Sequence, residues 1–459
     1  VTLGADAHAG YVTVAVEQLF RRFREKSATP LGNFGSFPAF PGSNGWDAGP
    51  YPHDDTPDSR LTATTVKVST SPSGGLVAAA AFTMGRKENL ADLGPYIESV
   101  DADTNFTKSC ADVTYIPHPK LTLNFRYRML DQDSNIPSQL TLLQATPQTV
   151  PVRESIDLER ASYFAKASYR PSNRLTLMAE YERKDIHRSQ TGPAAAVQYD
   201  PYWELPEDET INRYRISFIN RPLGTSKLRI NGWYELLTSD DPAYGVSVED
   251  RQQVFAGVNW TPSKTFGLTS NLRLKKGRNS DFQGLAAEID RSQWEQNFTF
   301  GLWSQPVEIV SLALNYGFMN AKIAQDTVYG TAEPDLVYDS HSEYRQRVHT
   351  TTLTLSVRLT EKIRVHAEGR HIRSHSKFDP EFSPQIIDPA YGILVDSSGL
   401  GDLSELEIIQ SGVGLGLDWA INEEWSCSAK FSHDDYEDRH SNAFDGTVQM
   451  YMFNIARSW

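Results

Sequence analysis

The sequence predicts an all-β chain: a transmembrane antiparallel up-and-down β-barrel of about 18 strands (16 to 20). Three observations carry that expectation. Apolar residues recur with period 2 in segments of roughly 10 to 14 residues. Short turns alternate with long polar connections. Aromatic residues collect beside the short turns.

The alternation is clear in four segments. After Lys120, the residues Leu121, Leu123, Phe125, Tyr127 and Met129 share one face, and Thr122, Asn124, Arg126 and Arg128 the other. Leu228, Ile230, Gly232, Tyr234 and Leu236 alternate with Arg229, Asn231, Trp233 and Glu235. Leu353, Leu355, Val357 and Leu359 alternate with Thr352, Thr354, Ser356 and Arg358. Ile363, Val365 and Ala367 alternate with Arg364, His366 and Glu368. On a strand, successive side chains point to opposite faces, so each segment has one apolar and one polar side. Only Val16 to Arg24 reads equally well as helix or strand.

A tight turn recurs, flanked by an aromatic or apolar residue and an apolar strand start. Its copies are Tyr115 to Leu121, Tyr169 to Leu175, Trp260 to Phe266 and Trp303 to Ile309, with looser ones at Phe218 to Leu228, Leu359 to Ile363 and Trp419 to Trp425. Proline suits these turns because it presets φ and cannot donate to a ladder. Between them run long connections: Ser27–Ser59, Arg86–Asp103, Asp131–Asp157, Ser189–Glu209, Ser376–Leu406 and Asp434–Gly446. Short periplasmic turns opposite long external loops are the mark of an outer-membrane barrel. Tyr115, Tyr169, Trp260, Trp303, Trp419 and Trp425 would then form an interfacial girdle. In the last segment Tyr451, Phe453, Ile455 and Trp459 share one parity, as in the insertion signal of bacterial outer-membrane barrels, although Arg457 interrupts it.

Composition sets the outer bounds. The 459 residues include 50 aromatics (21 Phe, 20 Tyr, 9 Trp), which argues against a disordered chain. The longest apolar stretch, Gly75 to Met84, falls far short of the roughly 18 residues of a membrane helix. Mean hydropathy is −0.45, which a barrel accommodates because its lumen is wet. A net charge of −14 disfavours nucleic acid as a partner, since phosphate contacts need a basic face. The two cysteines, Cys110 and Cys427, form neither a thiol zinc motif nor a covalent haem-attachment motif. Their opposite parities speak against a disulfide. No signal peptide is visible at Val1, the expectation for a processed chain or one never exported. One barrel domain, 1–459, is expected.

About 18 strands give a backbone diameter on the order of 35 Å and a lumen of roughly 20 to 25 Å. The expected lumen face is densely charged. Candidate contacts for a partner are Arg126, Arg128, Lys166, Arg170, Arg213, Arg215, Arg229, Arg273, Lys275, Arg358, Arg364 and Arg370, with Glu180, Glu182 and Glu368 among them. Such a face fits an ordinary solvated porin wall. It equally fits a surface gripping a folded protein, with Arg and Lys meeting acidic groups such as haem propionates.

The stretch Ala161 to Arg188, with Ala-Ser-Tyr-Phe-Ala-Lys-Ala-Ser-Tyr-Arg-Pro-Ser-Asn-Arg-Leu, and the stretch Thr210 to Ala243, with Asn-Arg-Tyr-Arg-Ile-Ser-Phe and Leu-Arg-Ile-Asn-Gly-Trp-Tyr-Glu, resemble the decahaem-associated outer-membrane porins of the Mtr/Pio type. The resemblance implies a bacterial outer-membrane sheath around a multihaem c-type cytochrome, which fills the lumen or caps the barrel mouths and carries electrons across the membrane. It implies that the haem belongs to the cytochrome and that the barrel itself binds no cofactor covalently. Larger members have more strands, and some carry an N-terminal Cys-x-x-Cys that this sequence lacks.

Other motifs point to no chemistry. His371 and His375 share a parity that His366 does not, so the three cannot converge on a metal. Asp131, Asp133 and Asn135 resemble the start of a calcium loop but lack its Gly and its final Glu, and read as a solvated loop. The sequons at Asn105, Asn259 and Asn297 fall in or at the end of expected strands. Asp434/Asp435 and Glu423/Glu424 point opposite ways on a strand, and no catalytic triad or phosphate loop emerges, so no enzyme is expected. An open diffusion porin is the alternative reading, and a secreted all-β enzyme or adhesin the third.

Overall fold

A computed structural model describes residues 1–24, 31–36, 48–52, 58–90, 102–142, 148–151, 155–189, 206–224, 227–242, 247–283, 288–332, 335–379, 385–388, 393–396 and 404–457. The regular elements among them are all strands, as the period-2 patterning requires. In chain order they are β1 (Thr2–Ala9), β2 (Val12–Phe23), β3 (Leu31–Phe34), β4 (Gly49–Pro52), β5 (Ser59–Thr70), β6 (Leu76–Asn89), β7 (Asp103–His118), β8 (Leu121–Asn135), β9 (Gln139–Leu142), β10 (Gln148–Pro151), β11 (Leu158–Ser172), β12 (Leu175–Arg188) and β13 (Asp208–Asn220). They continue with β14 (Leu228–Ser239), β15 (Asp250–Ser263), β16 (Phe266–Gln283), β17 (Glu288–Val307), β18 (Val310–Ala332), β19 (Asp335–Arg358), β20 (Ile363–Asp379), β21 (Gln385–Asp388), β22 (Ile393–Asp396), β23 (Leu406–Ala420), β24 (Trp425–Asp438) and β25 (Gly446–Arg457). Nineteen are assigned to one antiparallel sheet, close to the expected 18; the other six form three two-stranded hairpins, β3/β4, β9/β10 and β21/β22. These hairpins lie inside stretches that read as irregular connections.

The chain divides into two compact units. One comprises Val1–Ser168, Glu180–Asn212 and Ser239–Ala243, the other Tyr169–Ala179, Arg213–Thr238 and Tyr244–Trp459. In the first, β1, β2, β5, β6, β7 and β8 pair in sequence, each antiparallel to the next. In the second, β14 to β20 and then β23, β24 and β25 pair in the same up-and-down manner. Val16 to Arg24, the ambiguous run, falls largely in β2, whose apolar Val12, Val14 and Val16 stand beside Thr70, Val68 and Val66 of β5.

Two expectations need correcting. Strands are longer than 10 to 14 residues in places: β18 has 23 and β19 has 24, because the ladder continues past the apolar band into polar sequence. For the same reason Asp131, Asp133 and Asn135 lie on β8 rather than in a loop. The turn prolines also sit one step earlier than expected. Register slips occur between Tyr115 and His118, Trp260 and Ser263, and Ser304 and Val307. Each slip contains a proline: Pro117, Pro262 or Pro306. A bulge at the strand end leaves the missing N–H outside the ladder, and the reversal follows it. At the β1–β2 hairpin, Gly10 takes φ of +61°, which the right-handed twist of a two-residue loop demands.

The faces are inverted relative to a protein folded in water. The one hydrophobic side chain fully buried among the described residues is Ala63, whereas Glu209, Glu235, Gln253, Asn279, Asp434 and Asp438 are buried. The exposed residues include Phe125, Ile216, Leu353, Leu355, Val413, Leu415 and Leu417. Antiparallel register aligns them: Leu302, Leu314 and Leu353 share a row, as do Leu312, Leu355, Ala367 and Leu415. Continuous apolar surface of this extent needs a nonaqueous covering. An antiparallel meander in hydrocarbon satisfies its backbone groups between strands.

Candidate functional site

Register puts the charged residues on the opposite face, which in a barrel is the lumen face. In the first unit, Asp112 of β7 stands across from Arg126 of β8. Its two oxygens accept from Arg126 Nε at 3.0 Å and Arg128 at 2.7 Å. The Arg126 guanidinium also lies 5.6 Å from the Phe164 ring centre. Lys166 reaches Glu180 at 2.8 Å.

The densest cluster is in the second unit. Glu235 of β14, 2% exposed, accepts from Arg213 at 3.4 Å, Arg215 at 2.6 Å and Arg251 at 3.1 Å. One carboxylate therefore faces three guanidinium groups, and Arg251 Nε is buried without a hydrogen-bond partner. Arg215 also packs over Trp233 at 4.5 Å, and Trp233 stacks at 5.7 Å on Phe255, its register partner on β15. Arg273 donates to buried Gln253 at 2.7 Å, and Lys275 lies 3.6 Å from Glu295. From β13 to β17 the polar parity carries Arg213, Arg215, Arg229, Arg251, Arg273, Lys275 and Arg291 against Glu209, Glu235 and Glu295. The excess is positive, in a chain whose net charge is −14.

From β19 to β24 the same face is balanced. Arg358, Arg364, Arg370 and Lys430 are offset by Glu368, Asp418, Asp434 and Asp438. Arg370 holds Asp434 with two donors, Nε at 2.6 Å and Nη2 at 2.5 Å. The pair crosses over Gly412 of the intervening β23, where a Cβ would overlap Asp434 Oδ1. Arg358 donates to the Glu308 carbonyl at 3.1 Å, and Arg364 stands in register with Asp418. Arg170 and Arg229 are exposed on the polar parity of their strands.

All twelve expected lumen residues thus fall on the polar parity, several in pairs that the sequence did not announce. Sequence reading named Glu235 and Asp434 without a role and missed Asp112, Arg251 and Gln253, the other residues that organise the pairs. Their signal is cross-strand register, which no single segment carries. His366 lies 3.7 Å from Asp418 on the polar face, while His371 meets Ser411 and His375 meets Glu405. Cys110 is on the polar face opposite Arg128, and Cys427 on the apolar face opposite Trp419 and Ile455.

The expected girdle is corrected at one position. Tyr115, Trp260 and Trp419 stand across from apolar residues, Leu76 and Leu123, Leu228 and Leu268, and Ile363, while Trp425 stands across from Arg457. Trp303 instead has polar parity, opposite Gly267 and Ala313, because the alternation is counted from Leu302 and Phe300. The interruption at Arg457 has a structural reason: its guanidinium lies 5.4 Å from the Trp425 ring and 3.1 Å from Glu424. A cation held between an interfacial indole and a turn carboxylate is at the water boundary. Trp459 lies outside the described residues.

An up-and-down antiparallel sheet, apolar on one face and charged on the other, with aromatics near its short turns, defines an outer-membrane β-barrel porin. Residues 43–236 match the family model described as putative outer membrane beta-barrel porin, MtrB/PioB. The protein is accordingly placed in the bacterial outer membrane. No curated protein matches the chain. Among solved structures it is similar to the FrpB iron transporter (F3-3 variant) from Neisseria meningitidis, at 11% identity and a TM-score of 0.45, over 99% of this chain and 78% of that one. It is also similar to the alcaligin outer membrane receptor FauA from Bordetella pertussis, at 12% identity and a TM-score of 0.39, over 100% and 75%. A third is the siderophore receptor PiuA from Acinetobacter baumannii, at 9% and 0.41, over 99% and 79%.

Proposed function

We propose that this porin sheathes a multihaem c-type cytochrome and so insulates an electron conduit across the outer membrane. The observation that supports this reading is the basic wall from β13 to β17, where three arginines crowd one buried carboxylate. An excess of guanidinium groups on a face that is otherwise wet suits a partner bearing carboxylates, such as acidic side chains or haem propionates, because Arg binds them in bidentate fashion. In this reading the chain performs no catalysis and donates no haem ligand. Its work is positional: it holds a partner in register and keeps lipid away from it.

The second reading is a diffusion porin, in which the same wall faces water and favours anions. A spectrum separates the two. Protein purified from its native membrane in mild detergent should show a Soret band, with a haem-staining chain at fixed stoichiometry. A colourless barrel that conducts ions in a planar bilayer would end the conduit proposal and leave the porin.

A further inference from the structure

We propose that a cavity on the polar face of the first unit is a binding site for a small multivalent oxyanion, a di- or tricarboxylate or pyrophosphate. The cavity measures about 630 Å³ and is lined by Lys108 and Cys110 of β7, Arg128 of β8, Arg160 and Ser162 of β11 and Lys184 of β12. That size is in the range of small-molecule sites. Four cations project into it from four strands. Two of them are partly neutralised: Arg128 by Asp112 at 2.7 Å and Lys184 by Glu182 at 3.7 Å. Lys108 has the Phe106 ring at 4.8 Å as its neighbour. Neither Lys108 nor Arg160 is paired with a carboxylate among the described residues.

The reason for an oxyanion is chemical. A simple solvated wall spreads like charges apart, because each repels the next. Here they converge on one volume, with the Ser162 hydroxyl beside them, 3.4 Å from Glu182. Charge-assisted donors from four neighbouring strands, lining one cavity, match a ligand with several oxygen acceptors. A monovalent ion would leave most of them unanswered. The site goes beyond the sheath proposal and lies on other strands than the β13–β17 wall.

Cys110 supplies the test, since its thiol lines the cavity while Cys427 stands on the apolar face as an internal control. The full chain, purified in detergent without any cytochrome, would be labelled with the neutral reagent N-ethylmaleimide and both cysteine peptides followed by mass spectrometry. Pyrophosphate or citrate should slow labelling of Cys110 saturably, by about tenfold, and leave Cys427 unchanged. Lys108→Gln and Arg160→Gln, each removing an unpaired cation, should raise the protecting concentration by about tenfold. Direct titration calorimetry with pyrophosphate gives the same comparison without the thiol. Equal slowing by sodium chloride at matched ionic strength, or pyrophosphate affinity unchanged in both variants, would overturn the proposal. Because no haem is involved, either result leaves the absorption test of the conduit unaffected.

Discussion

Among the described residues, Glu235 is the carboxylate that meets the most guanidinium groups, three. Removing it would leave Arg213, Arg215 and Arg251 crowded with no counter-charge. Breaking a largely buried ion cluster by deleting one partner costs about 3 kcal/mol. Glu235→Gln should therefore lower the temperature at which the folded band on a semi-native gel converts to the unfolded one. An unchanged transition would mean that the Glu235 charge contributes nothing to holding the three arginines. Asp438 acts at another boundary. It is the last residue of β24, beyond the point where the outer parity turns from Phe431 to His433, Asp435 and Glu437, so it lies outside the apolar band. Its carboxylate accepts from Ser441 Oγ at 2.6 Å and from the backbone N–H groups of His440, Ser441 and Ala443. These bonds, the Ser441 hydroxyl first, hold its pKa down at about 2 against an ordinary 3.8. A depressed acid stabilises fully above its unfolded value, and the contribution disappears as pH falls through the folded one. The turn 439–445 should resist pepsin at pH 4 and open towards pH 2. Asp438→Asn should be cut there already at pH 4; equal cleavage of both proteins at pH 4 would remove the cap from the account.

At the scale of a strand, parity decides the consequence of a substitution. Leu355 of β19 lies on the apolar face between Leu312 and Ala367, and Thr354 beside it lies on the polar face between Ala313 and Glu368. Arginine on the lipid side of a barrel strand costs about 2 to 4 kcal/mol near the midplane, and much less in the lumen. Leu355→Arg should reduce assembly into the membrane, measured as the heat-modifiable fraction, while Thr354→Arg should assemble normally. Equal assembly of the two would refute the face assignment. Gly412 is the analogous test on β23. Any side chain there displaces Asp434 from Arg370, so Gly412→Val should cost stability comparable to losing the pair itself. Asp434→Asn alone should have a similar effect, and the double variant little more, because both act on one interaction.

For the molecule as a whole, the low mean hydropathy and the membrane location are compatible because only one face of each strand meets lipid. The same alternation puts many of an acidic chain's basic residues on its polar face, while acidic residues such as Glu207, Asp240 and Asp241 occur in the connections. A partner with carboxylates would therefore find attraction along the β13–β17 wall. Reversal-potential measurements on the cytochrome-free protein in a bilayer should show anion preference if that wall lines the conducting path. Cation preference would place the conducting path elsewhere.

The sequence by itself determined the strand periodicity, the alternation of short turns with long connections and the parity of the charged residues. These are local properties, fixed by the alternation of side chains along an extended chain and by proline's missing donor. Arg126, Arg215 and Arg370 were legible as polar-face residues for that reason. Only the tertiary structure decided who pairs with whom. Glu235 gathers guanidinium groups from β13 and β15, Asp434 reaches Arg370 across Gly412, and Lys108 and Arg160 meet at one cavity from β7 and β11. Such contacts depend on cross-strand register, set by hydrogen-bonded ladders and shifted by the bulges at Pro117, Pro262 and Pro306. A single strand holds no record of its neighbour's register, so the charged face could be read one residue at a time, but the sites on it could not.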